Sequence, residues 1–488
     1  GQITAQLENW AKDFGGDYEL FMFGKRVIVV TGLADIRRML TLRPTKFGRG
    51  LKKGSYTWAA TQAGVVPSMF FDEGREWGRS RRLISPNLNG HNVAAMLPHM
   101  SEIGERLCAK LGALADAGEV VETKNLFQRF THDIIALAAF GVVVDSTNST
   151  PERPCPSFDA MESLTTLFHD LTLNLIKRLG WKTLHSALPW VRLVKERSRR
   201  LDEVMQGAIN TVRREANGNA DGSVPPSGSD EPLPSGTLLR KIVSRTSRGS
   251  QGQTTSNRKT FTDEEVLHQA KSLLVAGTET TALSLSWVMY YLAVHPEAFA
   301  RCRAEGIQAA PSSGGMVSTS EQLSQLVFCA AVFKEAVRLK PPAAFLLHHC
   351  IEDYTMKSGY QVEKGTAFFV LTRAASVSEH AFTRGAEFVP ERWIEAEREK
   401  ALLDESSGIS DERSVHHDEN AFLAFGGGPR VCPGQGMAHA EATLTIAAIC
   451  ARFDISLAPG QQPDPPAEVD SFTLQPEAVH LVLSRREG

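Results

Sequence analysis

The chain has 488 residues, 42% of them hydrophobic, and its 53 basic and 56 acidic side chains leave a formal net charge of −3. That length supports a large buried core, and the balanced charge excludes a general electrostatic case for nucleic-acid binding. Seven cysteines, none in a CxxC pair, exclude a disulfide-built scaffold and a structural zinc site, and they fit a reducing compartment or the cytoplasmic side of a membrane.

In chain order, residues 18–30 read as strand, turn, strand: YELFMFG, KR, VIVV. Trp77-Gly-Arg-Ser-Arg81 places an indole and a guanidinium one helical turn apart. Arg79 and Arg82 are expected on the exposed side of that turn, available to an acidic partner. Helical patterns follow near 93–115, 123–141, 160–175 and 187–214. Residues 216–237 are rich in Gly, Pro, Ser and acid, and 244–260 are polar, so both read as flexible loops around a short helix near 238–243. A third such stretch spans about 403–419. The apolar run at 266–292 is interrupted by Glu279, Thr280 and Thr281, which favours a buried helix over a membrane span. The chain begins Gly-Gln-Ile-Thr, without Met, and an upstream segment removed by processing is compatible with that start.

Four later segments carry chemistry. Phe261-Thr-Asp-Glu-Glu opens a helix with Thr262 or Asp263 as cap and acid in its first turn. It runs on through Ala276-Gly-Thr-Glu-Thr-Thr281, where small residues leave room beside a hydroxyl that can disturb the helical ladder. Taken alone, this is a buried helix with Thr280 bonded to its own backbone. Glu335-Ala-Val-Arg338 puts opposite charges on one helix face, and Pro341-Pro342 stops that helix. Phe388-Val-Pro-Glu-Arg-Trp393 supplies a second arginine, Arg392. Phe425-Gly-Gly-Gly-Pro-Arg-Val-Cys-Pro-Gly434 ends a glycine-rich loop on Cys432, and a helical run follows at 437–451. Glycines there remove bulk and permit unusual backbone angles, so the thiol can approach a flat group closely. The amides after Cys432 and the positive end of the following helix would stabilise a thiolate.

These segments, spaced FxxGxRxCxG, AGx(D/E)T(T/S), ExxR, PERF-type and WxxxR from about residue 10 to the C-terminus, resemble the cytochrome P450 family. The motif style resembles its microsomal-type or bacterial fatty-acid-type group. The resemblance implies a mainly α fold with a smaller β-rich lobe, one catalytic domain over 1–488, and a haem b (iron protoporphyrin IX) between the Thr280 helix and the Cys432 loop. Cys432 becomes the iron ligand. Phe425 packs on the sulfur side, Gly434 shapes the loop, and Arg430, Trp77 and Arg81 face the haem propionates. His348 stands where family members often place an arginine on a propionate, and is expected to donate a hydrogen bond there. Glu335, Arg338 and Arg392 form a structural network. Thr280 holds a distal water or oxygen species, and Glu279 relays protons.

The activity implied is a monooxygenase that activates O2 and inserts one oxygen atom into a hydrophobic organic substrate. Phe70, Leu273, Ala276, Ala343, Phe345 and Leu474 are its candidate pocket walls. The partners implied are an NADPH-dependent diflavin reductase or another electron donor and, with an upstream anchor, a membrane. The location implied is the endoplasmic reticulum membrane facing the cytoplasm, with the cytoplasm as the alternative. Two other functions stay open: a reductase-independent peroxygenase, isomerase or dehydratase of the same family type, and a haem-binding sensor or ligand carrier.

Overall fold

A computed structural model describes residues 3–22, 25–49, 68–163, 165–166, 189–216, 238–243, 261–310, 315–394, 418–470 and 473–486. The expected loops, apart from Ala216 at one end and residues 418–419 of the third stretch, and most of the helix expected at 160–175, lie outside the described residues. The chain is predominantly helical with a smaller β-rich part, and it divides into two compact units. One unit comprises Gly1–Gly48, Gly104–Phe127 and Thr280–Gly488; the other comprises Arg49–Ile103 and Gln128–Glu279.

The first unit holds the sheets. Tyr18–Met22 pairs antiparallel with Lys25–Val30, the strand pair that the alternation predicts, but Lys25 and Arg26, expected as the turn, lie in the second strand opposite Met22 and Phe21. The β-branched run of the second strand then lies parallel to Ala367–Val370, with Val29 opposite Phe369. Leu346–Cys350 and Phe47–Gly48 complete five strands. Because both faces of this sheet are covered, Val27 to Val30 are all buried. The Leu33–Thr41 helix lays Ile36, Met39 and Leu40, three and four residues apart, onto Phe47, Phe368 and Val370. That packing fixes where Arg43, two residues past the helix, must sit.

Three helices form the unit's other core: Pro296–Ala309, Val327–Leu339 and Gln435–Arg452. The last is buried around almost its whole circumference, from Met437 to Cys450. Its N-terminus lies immediately after the Cys432 loop. A three-stranded sheet of Val121–Glu122, His480–Arg485 and Phe453–Leu457 follows from its C-terminal end.

The second unit is built on helices, including Gly74–Ile84, Pro189–Ala216, Leu238–Val243 and the first half of Asp263–Val294. A capping box starts the long helix. The Thr262 hydroxyl accepts from the Glu265 amide at 3.2 Å, and the Glu265 carboxylate accepts from the Thr262 amide at 2.7 Å. Arg79 was expected to be exposed; instead it is buried and ion-paired with Glu76 and Glu265, with its guanidinium over the Phe261 ring. Arg82 does face solvent.

Candidate functional site

All seven cysteines are described, and six of them are buried; Cys432 alone is partly open. Backbone hydrogen bonds hold its loop. The Cys432 amide donates to the Phe425 carbonyl at 2.9 Å, the Val431 amide to Gly428 at 3.1 Å, and the Gly426 amide to Leu423 at 2.8 Å. Gly428 has φ of +63°, and a Cβ there would run into the Leu40 carbonyl, so a side chain is barred both by conformation and by space. Gly434 is the N-cap of the Gln435–Arg452 helix and lies against the thiol: a Cβ on it would be 4.0 Å from Cys432 Sγ. The helix's positive end is thereby set beside the sulfur. The Phe425 ring packs between Phe422, at 6.1 Å, and His439, at 5.2 Å. His439 carries no motif signal. Burial pulls its imidazole down to about 4, and Lys334 adds to the effect, so the ring is neutral beside Phe425.

The Glu335 network forms as the motifs predict, with one member more. Glu335, Arg338 and Arg392 are each 0% exposed. Glu335 accepts two bonds from Arg338 at 2.8 Å and one from Arg392 Nε at 3.1 Å. It also accepts from the Val389 amide at 2.9 Å and the Trp393 indole at 2.9 Å. The guanidiniums spend their remaining donors on carbonyls of Ser376, Gly385, Glu387, Thr383 and Arg384. This satisfied buried cluster ties residues 376–393 to the Val327–Leu339 helix.

A second polar cluster was only half legible. Arg43 is 2% exposed, and its Nε has no hydrogen-bond partner among the described residues. One of its terminal nitrogens donates to the Gly427 carbonyl at 2.9 Å, in the Cys432 loop itself. The other donates to His348 Nε2 at 3.3 Å, which leaves His348 Nδ1 to donate to the Gly48 carbonyl at 3.3 Å. His348 is therefore a buried acceptor for Arg43. Burial, and then the nearby Arg430, pull the Arg43 guanidinium down to about 9. Arg43, with a donor left over and a bond to the Cys432 loop, offers a place for an anion.

On the Asp263–Val294 helix, Glu279 is buried and Thr280 half-buried. Thr280 belongs to the unit that carries Cys432, and its carbonyl accepts from the Ser284 hydroxyl at 2.9 Å. Thr281 is buried, in keeping with a packing role. Gly277 is one of the small residues expected to leave room beside the hydroxyl. Instead it packs against Ile135, and a Cβ would come within 2.8 Å of Ile135 Cγ1; the Thr131 hydroxyl fastens the same crossing to the Thr278 carbonyl at 2.7 Å. The neighbouring Ala276 is exposed and Leu273 half-buried. Trp77 and Arg81 lie one turn apart on Gly74–Ile84, both half-buried.

Among the other pocket candidates, Phe70 is 42% exposed and stacked under Arg49. Ala343 is exposed. Leu474 is buried, and its amide donates to Pro342 at 2.8 Å, which joins it to the segment carrying Ala343. Phe345 packs edge-on to Phe369 at 5.4 Å, against the small core of Leu7, Val29 and Leu371, so it is core filling first.

The cytochrome P450 family profile matches residues 1–483, and the chain belongs to that family. It is 28% identical to secologanin synthase 2 of Catharanthus roseus over 85% of this chain and 71% of that protein. It is 26% identical to the protein LUTEIN DEFICIENT 5, chloroplastic, of Arabidopsis thaliana over 92% of this chain and 69% of that protein. Among solved structures, a cytochrome P450DA heme domain superposes with a TM-score of 0.77 at 21% identity, covering 99% of this chain and 93% of that one. A second P450 structure, CYP102L1, gives 0.75 at 19% identity over 99% and 98%. Family membership carries with it a haem b site and oxidative chemistry of the haem-thiolate type in general.

The expected endoplasmic-reticulum membrane location is corrected. Among the described residues no helix is long and apolar enough to cross a membrane, and the fold matches P450 heme-domain structures. The Asp263–Val294 helix is interrupted by polar groups that the protein interior accommodates and a bilayer would not.

The residues present fit a haem. The open thiol of Cys432 offers the soft ligand that iron takes in this family. The leftover Arg43 donor, with Arg430 beside it, suits the carboxylates of a porphyrin.

Proposed function

We propose that this chain is a haem-thiolate monooxygenase that inserts one atom of O2 into a hydrophobic organic molecule. The observation that carries the proposal is the partial opening of Cys432 where every other cysteine is buried, in a loop pinned at Phe425, Gly428 and Gly427. A bound haem b would supply the reductive activation of O2 and the oxidation of the substrate.

The chain's own residues do the rest. Cys432 donates electron density from its thiolate, with Phe425 and Gly434 shaping the space around the sulfur. Arg430, and with it Arg43, holds the cofactor's carboxylates, and Trp77 and Arg81 are assigned the same task. His348 orients Arg43. Glu335, Arg338 and Arg392 keep the thiolate segment rigid, which preserves the ligand's geometry through turnover. Thr280 holds a water in hydrogen-bond reach of the reacting oxygen, and Glu279 passes protons to that water from its buried position. Phe70, Leu273, Ala276, Ala343 and Leu474 are proposed as apolar walls that place the substrate, with Phe345 backing them. Electrons come from a separate protein, with an NADPH-dependent diflavin reductase as the first candidate.

The test supplies such a reductase, NADPH and isotopically labelled O2 to the haem-loaded protein with a library of hydrophobic compounds. One labelled oxygen atom per product molecule, absent without reductant, is the expected outcome. Turnover supported by peroxide alone, with none from O2 and reductant, would replace the proposal with a peroxygenase. Ligand binding with no product under either condition would leave a sensor or carrier.

A further inference from the structure

A closed circle of aromatic side chains joins the Glu335 helix to the Cys432 loop, all of it within the first unit. The Trp393 indole donates to Glu335 at 2.9 Å. Trp393 lies edge-on to Phe422, with ring centres 5.2 Å apart. Phe422 is 6.1 Å from Phe425, and Phe425 is 5.2 Å from His439. His439 is 5.0 Å from Phe333, edge to face at 87°. Phe333 shares the Val327–Leu339 helix with Glu335, so the circle returns to its start. Every separation falls in the range of attractive aromatic pairs.

His439 enters this circle from a third element, the Gln435–Arg452 helix that follows Cys432. Its two ring neighbours belong to the two parts that must stay in register: Phe333 to the Glu335 helix, and Phe425 to the Cys432 loop. Burial, with Lys334 adding to it, keeps the imidazole neutral, so it packs as one more flat ring with no charge to solvate. Without that ring, Phe425 keeps Phe422 on one side and faces a cavity on the other. The Phe425 carbonyl accepts the Cys432 amide at 2.9 Å, so freedom gained at Phe425 passes straight to the backbone that holds the thiol.

We infer that His439 is a positioning residue for the haem ligand: it wedges Phe425 against the Glu335 helix and so sets how strongly Cys432 donates to the iron. The inference rests on the proposal that Cys432 ligates a haem. The groups around a ligating side chain orient it and tune the metal, and for a haem thiolate the quantity tuned is the iron's reduction potential. The buried Glu335 network acts on the thiolate through this circle, with His439 as the link that closes it.

The test compares the haem-loaded parent with His439→Ala and His439→Phe. It measures the haem reduction potential and the rate at which the reduced-CO complex loses its thiolate Soret band in dilute guanidinium chloride. In His439→Ala the ferrous-to-ferric ratio at a fixed potential is expected to change roughly tenfold, about 59 mV for one electron. The band should disappear roughly tenfold faster, since two ring contacts are lost. His439→Phe restores a flat ring and should return both readouts to within about twofold of the parent. Ile446→Val removes packing from a fully buried position about two turns along the same helix, and should leave both within about twofold. The inference is overturned if either readout stays within about twofold in His439→Ala, if His439→Phe fails to restore them, or if Ile446→Val moves them as far. Should His439→Ala not take up haem, Phe333→Leu, which removes the ring behind His439, is expected to move both by roughly threefold or more, and no movement overturns the inference. A parent without the thiolate band would refute Cys432 as the ligand; a parent with the band and an unmoved His439→Ala would refute His439 alone.

Discussion

Replacing Arg43 with methionine separates an anion-holding role from a structural one, because it removes the cation and keeps an unbranched apolar stem. Arg43 is almost fully enclosed, and its guanidinium is pulled down to about 9 by burial and by Arg430. That displacement from the usual arginine value corresponds to roughly 5 kcal/mol against the charged form, little of it screened by solvent at this depth. A carboxylate placed beside the group would reverse the balance, and a charge-assisted hydrogen bond of about 1.5–3 kcal/mol would go with it. Arg43→Met is therefore expected to release haem roughly 10- to 100-fold faster, measured by transfer to an excess of haem-free globin. The haem-free variant should be as stable to urea as the haem-free parent, or more so, since an uncompensated buried cation has gone. The reasoning is refuted if haem release changes by less than about twofold while the haem-free variant loses more than about 2 kcal/mol. In that event the bond to the Gly427 carbonyl is the whole function of Arg43.

Three other perturbations read other parts of the site. Glu335→Gln leaves two fully buried guanidiniums facing a neutral amide, so a loss of about 3–5 kcal/mol is expected in urea unfolding of the haem-loaded protein; a loss under about 1 kcal/mol would contradict the network. His439 binds its proton near 6.5 when unfolded and near 4 in the fold. The stability that its neutral ring contributes is complete above the first value and lost as pH falls toward the second, on the order of 3 kcal/mol in all. His439→Leu should flatten the stability profile across that window, and an unchanged slope would remove His439 from the account. Thr280→Ala should lower product formed per NADPH consumed and raise peroxide release, with the reduced-CO spectrum intact; full coupling in the variant would leave Thr280 a packing residue.

Much of this was legible because the chemistry sits in short local patterns. Cys432, Gly428 and Arg430 share one loop, and Glu335 and Arg338 share one helix face, so spacing alone brings each set together. The capping box at Thr262 and Glu265 was half-legible for the same reason, since Thr262 was one of the two caps that the sequence suggests. Arg43 was hidden because its partners His348 and Gly427 lie hundreds of residues away, and LRPTKF carries no periodic signal. His348 was legible but its bond to Arg43 was not, because a sequence does not tell which distant side chain a ring nitrogen meets. The error at Arg79 has a similar origin: its burial depends on Glu265, a residue on another helix. Gly277 reads as empty space in a linear pattern and as a helix crossing once Ile135 is opposite it.

The most direct test of the whole account is the reduced-CO absorption spectrum of the haem-loaded protein beside that of Cys432→Ala. The account predicts the red-shifted Soret band of a thiolate-ligated haem in the parent and its absence in the variant. A parent without that band, or a variant that keeps it, would contradict the assignment of Cys432 as the iron ligand.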